Sequence, residues 1–459
     1  MLLMNKMPLR RILETADIAP QTLYRKIDFL HSQAMLFAAD QERRLPQLPI
    51  RRLYLACDRQ DHLVNWSRRT DRRPVQFTAV GTADQQTGYV FGMHLNFDGS
   101  IDFSDPEIAR IAEEDQDLPT AHRRLARLWL PAEDDGPAAA EAARQIAVLP
   151  ERGLLASVRR TYKQVELRTD VEAPVDLSPE RALPARGAQI HSEYTLFAHF
   201  QILRRMIGHT EKIRFFLDLD SGMRGACLSA FQGEIRAGKC EAFYVRINKD
   251  LTQDRKQAAV GEAKAAFEMA LLADPDLRTA AVADRLSPEA ELQALSVSDD
   301  PGARRFFHEL MARTRTRLLM ERRRQAVAIG SWNDRWVSHP LPSMSEPEKA
   351  LCWLTDRGHL EEEHIASLMN LASLHAIDRF FMQGRRRLKM AERPIATASR
   401  ARRIWHGYSP YDPSMLAKAL DIYRVYYNFV KPGEDKRTPA QRLGLCDVAA
   451  SVDEIISLT

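Results

Sequence analysis

Three short acidic motifs, in a fixed order along the chain, constrain its fold more than any other feature. The first, residues 57–60 (CDRQ), lies on an apolar run of strand character, and two further strand-like runs follow it. The second, residues 218–222 (DLDSG), ends another strand-like run. The third, residues 375–381 (HAIDRFF), has helical periodicity and continues into three arginines. The motifs therefore predict carboxylates on a first strand, after a later strand and on a helix.

The acids at these positions are Asp58, Asp220 and Asp378. Carboxylate oxygens are the hard ligands that Mg²⁺ prefers, and three of them on separate elements can hold two divalent cations against a phosphodiester. Two alternatives stay open. Asp218 could share the strand face of Asp220, from which it is two residues away. Residues 361–363 (EEE) are rivals of Asp378 for the role of the third acid. They precede it by about four turns of an apparently continuous helix, so they cannot occupy its place.

Composition and charge are those of a globular protein, and they do not indicate which class of molecule it binds. Its 459 residues suffice for about two to four domains, and 45% are hydrophobic. The net charge of +4 creates no strong overall field. Arginines cluster at residues 322–324, 385–387 and 400–403, which suits phosphate contacts, although solvated helix faces would give the same pattern.

Cysteine spacing and the lack of apolar spans indicate a cytoplasmic protein. The five cysteines form neither CxxC pairs nor a disulfide framework, so we expect reduced thiols and no zinc site. No secretory signal follows Met1, and no apolar run is long enough to span a membrane.

Residues 1–48 are predicted to form a small helical module. Residues 8–16 and 21–36 have helical periodicity, and residues 17–20 form a turn between them. The stretch at 18–26 (IAPQTLYRK) is typical of the turn and second helix of a helix-turn-helix. Its side chains that would face DNA are Gln21, Thr22, Tyr24, Arg25 and Lys26. An amphipathic hairpin packed on the next domain is the alternative.

The rest of the chain alternates between strand-like and helical runs. Strands are predicted at residues 51–64, 75–80, 89–95, 212–219 and 241–247. Residues 81–88 are predicted to form a turn, and Asp84 is of a residue type that is common in turns. Helices are predicted at residues 104–130, 190–207, through most of 252–330, and at 348–354, 359–387 and 413–429.

This succession of elements resembles the RNase H-like fold, and within it the DDE/DDD transposases of bacterial insertion sequences, relatives of retroviral integrases. The C-terminal stretch strengthens the resemblance. Residues 421–429 (DIYRVYYNF) and 436–445 (KRTPAQRLGL) are similar to the "yN…tPa…gl" ending common in that superfamily. The resemblance covers residues 51–445.

The resemblance implies an α/β fold, with an RNase H-like mixed sheet flanked by helices, an N-terminal helix-turn-helix-like module and a helical insertion. The expected domains are residues 1–48 for DNA binding and 49–251 for the first part of the catalytic core, with an excursion at about 131–189. A helical insertion at 252–347, the remaining core at 348–445 and a tail at 446–459 follow.

The resemblance also implies metal-dependent DNA cleavage and strand transfer at the ends of a mobile element. Asp58, Asp220 and Asp378 would be the catalytic and metal-binding residues, with two Mg²⁺ ions as cofactor and Mn²⁺ able to substitute. Asp378 departs from the family's usual Glu, so its shorter side chain demands a closer approach of its helix. The further residues expected to contact DNA are Arg385, Arg386 and Arg387.

The expected partners are double-stranded DNA of the element ends and target, and a second copy of the chain, because two ends must be joined. A bacterial cytoplasmic location, on the nucleoid when DNA is bound, is implied. Aromatic residues at 405–411 follow a basic run and could stack on unpaired bases, or pack the C-terminal helix. A DNA-binding regulator that does not cleave, and a structure-specific nuclease that does not join strands, are the alternative functions.

Overall fold

The computed structural model is a mixed α/β structure. It describes residues 1–64, 75–102, 153–155, 158–159, 162, 186–190, 192–248, 251–392 and 408–457. The chain divides into two compact units. The first unit comprises Met1–Val148, Gln164–Cys240 and Leu374–Thr459, and the second comprises Leu149–Lys163 and Glu241–Ser373. Within the described residues, none of the helices combines the length and apolarity needed to cross a membrane.

The described strands are β1 (Arg52–Val64), β2 (Val75–Asp84), β3 (Val90–Leu95), β4 (Phe97–Asp102), β5 (Arg186–Gln189), β6 (Lys212–Asp218), β7 (Cys240–Ile247), β8 (Ala328–Ile329), β9 (Asp334–Ser338) and β10 (Lys349–Trp353). The described α-helices are α1 (Leu9–Ala16), α2 (Pro20–Glu42), α3 (Ser192–Ile207), α4 (Ser221–Ala230), α5 (Gln232–Arg236), α6 (Gln253–Leu272), α7 (Pro275–Ala283), α8 (Pro288–Val297), α9 (Pro301–Gln325), α10 (Glu362–Leu371), α11 (His375–Arg387), α12 (Pro413–Val425), α13 (Pro439–Leu443) and α14 (Val452–Ile456).

A mixed sheet of eight strands, flanked by helices, organises the fold. The strand order is β3-β2-β1-β6-β7-β10-β9-β8, and β4 pairs with β5 in a separate two-stranded sheet. The strands β1, β2 and β3 form the predicted antiparallel meander, whereas β6 pairs parallel to β1. The predicted mixed α/β sheet flanked by helices is therefore confirmed.

The central strand β1 presents different residues to the two faces of the sheet. Asp58 lies opposite Gly81 of β2, and Cys57 lies opposite Thr82. Successive side chains alternate between faces, so Asp58 and Gly81 share one face and Cys57 and Thr82 share the other. Side chains of α11 contact Gly81, and His199 of α3 hydrogen-bonds to Thr82. Two helices thus cover opposite faces of β1 and β2.

The N-terminal helices pack on α12 through an apolar face. Leu23 and Ile27 of α2 form a buried cluster with Ile12 of α1 and Met415 of α12. Polar contacts at the edges support this packing: Lys418 of α12, for example, donates to an Asp28 oxygen at 2.6 Å. The two helices are therefore an amphipathic hairpin packed on its neighbour, whereas the helix-turn-helix assignment stays a prediction.

The C-terminal ending that carries the family resemblance has a structural role in this chain. The Asn428 amide bonds to the backbone of Val90 on β3 twice, accepting from its N–H at 2.9 Å and donating to its carbonyl at 2.8 Å. Thr438 and Gln441 form a capping box at the start of α13, and Gly444 ends that helix with φ of 80°. These residues anchor the C-terminal segment to the edge of the meander.

Residues 252–330 were predicted to be mostly helical, and they contain four helices of the second unit, α6 to α9. Their role as an insertion into a catalytic core stays a prediction. Each begins with a capping side chain, and three of them carry Pro at the first helical position, as at Asp274-Pro275. A buried cluster built around Phe267, Leu277 and Leu310 holds the helices together.

Three predictions of secondary structure were wrong. Residues 348–354 were predicted to be helical but form strand β10, whose five residues are all buried and therefore lack a readable period. The predicted helix at 359–387 is two helices, because the chain is extended at Ala372. Gly81 was predicted to begin a turn, but β2 continues to Asp84. The predicted helix at 104–130 lies outside the described residues.

Candidate active site

Asp58 is buried within β1, next to Arg59, whose side chain contacts the second acidic motif. Its side chain is held by its own neighbour, because an Asp58 carboxylate oxygen accepts from the Arg59 backbone N–H at 2.7 Å. The Arg59 guanidinium forms an ion pair with the Asp220 carboxylate. The same guanidinium donates to the Ser192 hydroxyl at 3.4 Å. Arg59 therefore contacts Asp58 through its backbone and Asp220 through its side chain.

Neighbouring strands position the first two acids. Strands β1 and β6 run parallel, and their last registered pair is Cys57 with Leu217. Asp58 follows directly on β1, and Asp218 is the last residue of β6. Asp220 then caps α4, since its Oδ1 accepts from the Met223 backbone N–H at 2.9 Å. Both acidic motifs thus lie where the paired part of the two strands ends.

Asp378 lies in the first turn of α11 and is partly exposed. Its helix approaches the sheet closely at Gly81, the residue opposite Asp58. A Cβ atom at Gly81 would lie 2.8 Å from Cδ1 of Ile377 and 3.0 Å from Cε1 of Phe381. Only glycine gives this space without a shift of neighbouring atoms. The sequence predicted that an Asp in the third position needs a close helix approach, and Gly81 permits one.

The joint use of the three acids as one metal site stays a prediction. In the part of the chain that the structure describes, no three acidic, histidine or cysteine side chains are gathered closely enough to hold a metal ion. The donor type itself suits Mg²⁺, because Asp58 and Asp220 offer carboxylate oxygens.

The alternative acids have other partners. Glu362 forms an ion pair with Arg324 of α9, within the second unit, and this contact lowers the pKa of Glu362. Residues 361–363 also do not lie on the helix of Asp378, so the continuous helix used to separate them was wrong. Asp84, predicted to lie within a turn, is the last residue of β2, and its carboxylate stabilises the turn that follows by accepting from the Thr87 N–H at 2.8 Å and from the Thr87 hydroxyl at 2.7 Å.

A buried polar chain lies on the opposite face of β1 from Asp58. The Cys57 thiol is 3.1 Å from the Thr82 hydroxyl, which is 2.7 Å from Nε2 of His199. Nδ1 of His199 lies 2.8 Å from Nδ1 of His94. Burial lowers the pKa of His94 to about 4 and that of His199 well below its ordinary value. Both imidazoles are therefore neutral, with one donating to the other.

The three arginines of the predicted cluster at residues 322–324 are engaged within the second unit. Arg322 donates to the Ser338 carbonyl at 3.1 Å, and Arg323 and Arg324 form ion pairs with Asp356 and Glu362. These contacts explain the 322–324 cluster without a nucleic acid.

The arginines of α11 differ in their availability. Arg387 donates to the Met4 carbonyl at 3.2 Å and lies over the Tyr426 ring. Arg386 is exposed, whereas Arg385 lies close enough to His62 to lower its pKa. The basic run at 400–403 and the aromatic residues at 405–407 lie outside the described residues.

The predicted DNA-facing side of the N-terminal module is accessible. The five side chains assigned to it are all exposed: Gln21, Thr22, Tyr24, Arg25 and Lys26. The intervening Leu23 and Ile27 are buried against the rest of the first unit. The amphipathic pattern that predicted a recognition helix thus separates a packing face from a polar, basic face.

Gly81→Ala is expected to destabilise the first unit by about 1–3 kcal/mol, because the new methyl overlaps Ile377 and the Phe381 ring. Chemical denaturation would measure the change in the free energy of unfolding. Gly225→Ala is the control, since no atom lies within 4 Å of a Cβ there. Adding Ile377→Val to Gly81→Ala should relieve part of the overlap. A Gly81→Ala protein as stable as wild type would contradict the close approach of α11.

Comparison of the chain with protein-family models, with curated proteins and with solved structures gave no match.

Proposed function

We propose that the protein is a transposase that cleaves DNA at the ends of a mobile element and joins the ends to a target. The observation that carries this proposal is the pairing of two acidic motifs. Asp58 follows the last registered residue pair of the parallel strands β1 and β6, and Asp220 lies two residues beyond the end of β6. Carboxylates on adjacent strands would supply the oxygen ligands of a two-metal phosphoryl-transfer site.

The order of elements along the chain supports an RNase H-like core. The meander of β1 to β3 is followed, after the separate pair β4 and β5, by helix α3, by strand β6 with an acid at its end, by strand β7 and later by helix α11, which carries an acid. The strands of the meander are antiparallel, and β6 is parallel to β1. Asp378 on α11, the helix packed against β1 and β2, is then the third acid of the proposed site.

The proposed cofactor is Mg²⁺, held by Asp58 and Asp220 with Asp378 as the third carboxylate. When bound, two such ions supply activation of a water or 3′-hydroxyl and stabilisation of the leaving oxygen. The protein's own residues would orient the phosphodiester and exclude alternative geometries. No covalent protein–DNA intermediate is required, so the mechanism assigns no Ser or Tyr nucleophile.

Release and joining of labelled DNA test the proposal. The substrate is DNA that carries the ends of the element encoding the chain, and the reaction is followed with and without Mg²⁺. Strand release followed by joining supports a transposase. Release without joining indicates a nuclease, whereas binding without release indicates a regulator. The regulator is the second candidate, because the described residues hold no ready three-acid metal group.

DNA contacts are proposed for the exposed face of α2, and joining two ends implies at least a dimer on DNA. Arg25→Ala with Lys26→Ala is expected to weaken binding of end DNA and to lower the salt slope by about two, roughly one unit per lost phosphate contact. Gel-shift titrations across a salt series measure both effects. Arg255→Ala with Lys264→Ala removes the same charge from exposed positions of α6 and is the control. Equal effects of the two double variants would contradict a specific role for α2.

A further inference from the structure

His339 follows the last residue of β9 and buries a hydrogen-bond donor. The residue is 9% exposed, and its Nδ1 accepts from the Leu341 backbone N–H at 3.2 Å. Burial lowers the pKa of His339 to about 3, so the ring is neutral at pH 7. A neutral ring that accepts at Nδ1 carries its proton at Nε2. Among the residues that the structure describes, this Nε2 has no hydrogen-bond partner, so its N–H is a donor without an acceptor.

Two arginines of α9 lie near this ring. Arg315 and Arg322 are about two helical turns apart on one face of α9, and Leu319 between them is fully buried, so this face points into the second unit. Arg322 donates to the carbonyl of Ser338, the residue before His339, at 3.1 Å. The positive charges of both arginines contribute to the low pKa of His339, which requires both to be close to its ring.

Neither arginine forms an ion pair with a carboxylate in the part of the chain that the structure describes. The Arg315 Nε is buried without a hydrogen-bond partner there, and the guanidinium lies over the Phe267 ring, 6.0 Å from its centroid. Burial lowers the pKa of Arg322, as expected of a cation that has lost water without gaining an anion. Lys349, a third cation near the ring, differs because it donates to a Glu346 oxygen at 2.9 Å. Two positive charges and two buried N–H donors therefore lack an anion.

We propose that Arg315, Arg322 and His339 bind a terminal phosphate group, either as inorganic phosphate or on a nucleotide. A phosphate dianion matches the two positive charges, and its oxygens can accept from both guanidinium groups and from the Nε2–H. Both arginines are partly exposed, so a small anion can reach them. A phosphodiester within a DNA strand carries one charge and is flanked on both sides, so it fits this enclosed site less well. The site lies within the second unit and does not depend on the proposed transposase reaction.

Isothermal titration calorimetry of the full chain with inorganic phosphate, at an ionic strength held constant with sodium chloride, tests the proposal. Arg315→Gln should weaken phosphate binding roughly tenfold, because one charge-assisted hydrogen bond is lost. Arg322→Gln should weaken it by a similar factor, and His339→Leu, which removes a neutral donor, by about fivefold. Arg315→Gln is the decisive variant, because its side chain has no hydrogen bond to lose among the described residues.

Arg305→Gln is the control, since it removes the same charge from an exposed position of α9. Thermal unfolding without phosphate checks that each variant is folded. Phosphate binding that is weakened in Arg315→Gln and kept in Arg305→Gln supports the site. Competition by thymidine 5′-monophosphate, but not by thymidine, then identifies a nucleotide phosphate as a ligand, whereas no competition identifies free phosphate. A wild type that does not bind phosphate at millimolar concentration, or equal weakening in Arg305→Gln and Arg315→Gln, overturns the proposal.

Discussion

Asp58→Asn and Asp220→Asn are each expected to abolish Mg²⁺-dependent strand cleavage and strand transfer while leaving DNA affinity close to wild type. The amide keeps the size of the carboxylate but removes the negative charge that would hold a cation. Loss of an essential electrostatic group at a reacting centre lowers rates by roughly 10³-fold or more. DNA binding depends on basic residues elsewhere, and removal of a negative charge from the site should not weaken it.

The local structure explains why both variants should fold. At position 220, asparagine caps a helix as well as aspartate does, so the bond from the Met223 N–H to the side chain is kept. At position 58, the amide oxygen can still accept from the Arg59 N–H. At position 220 the variant also loses a charge beside the Arg59 guanidinium, which is a smaller change than loss of a buried hydrogen-bonding group.

Matched substitutions separate the predicted catalytic acids from their neighbours. Asp218→Asn, two residues from Asp220, should retain most of the cleavage activity. Asp378→Asn should lose it, whereas Glu362→Gln should not, because Glu362 pairs with Arg324 in the second unit. Gel-shift affinity for end DNA and release of a labelled strand are measured side by side. Wild-type cleavage in both Asp58→Asn and Asp220→Asn would end the transposase proposal.

The positions of the first two acids could be predicted because local chemistry marks them. The apolar run before Asp220 is long enough to be a strand, and Asp-Ser-Gly is typical of a helix start. Helix starts such as Asp274-Pro275 are equally local. The close approach at Gly81 could not be predicted, because it depends on Ile377 and Phe381, nearly 300 positions away in the sequence. Long-range packing leaves no periodic signal in either segment.

Strand β10 and the ion pair of Arg59 were missed for related reasons. All five residues of β10 are buried, so the run has no alternation that would distinguish a strand from a buried helix. An arginine next to an acid in the sequence predicts a solvated charge, whereas the strand register brings Arg59 to Asp220. In both cases the sequence does not show the partner, which is the neighbouring strands for β10 and Asp220 for Arg59.

Acidification is expected to lower the free energy of unfolding steeply between about pH 6.5 and pH 4. Burial lowers the pKa of His62 to about 4, with Arg385 adding to the effect, and lowers that of His94 to about 4. The folded-state pKa lies below the ordinary value of 6.5, so the folded protein favours the neutral rings. Their stabilisation is complete above pH 6.5 and is lost as the pH falls through 4. One such histidine accounts for about 2 kcal/mol at pH 5.

The geometry of the buried histidines makes this sensitivity specific. Nδ1 of His94 and Nδ1 of His199 are 2.8 Å apart, so one must donate and the other accept, and two protonated rings cannot share the contact. His62 differs, because its Nε2 is buried without a hydrogen-bond partner among the residues that the structure describes. His62→Leu should therefore retain stability at pH 7.5 and reduce the loss at pH 5. Denaturant unfolding at the two pH values measures the free energy of unfolding of each protein. The control is His308→Gln, a substitution at an exposed histidine. A His62→Leu protein that loses as much stability between pH 7.5 and pH 5 as wild type would show that the acid response originates elsewhere.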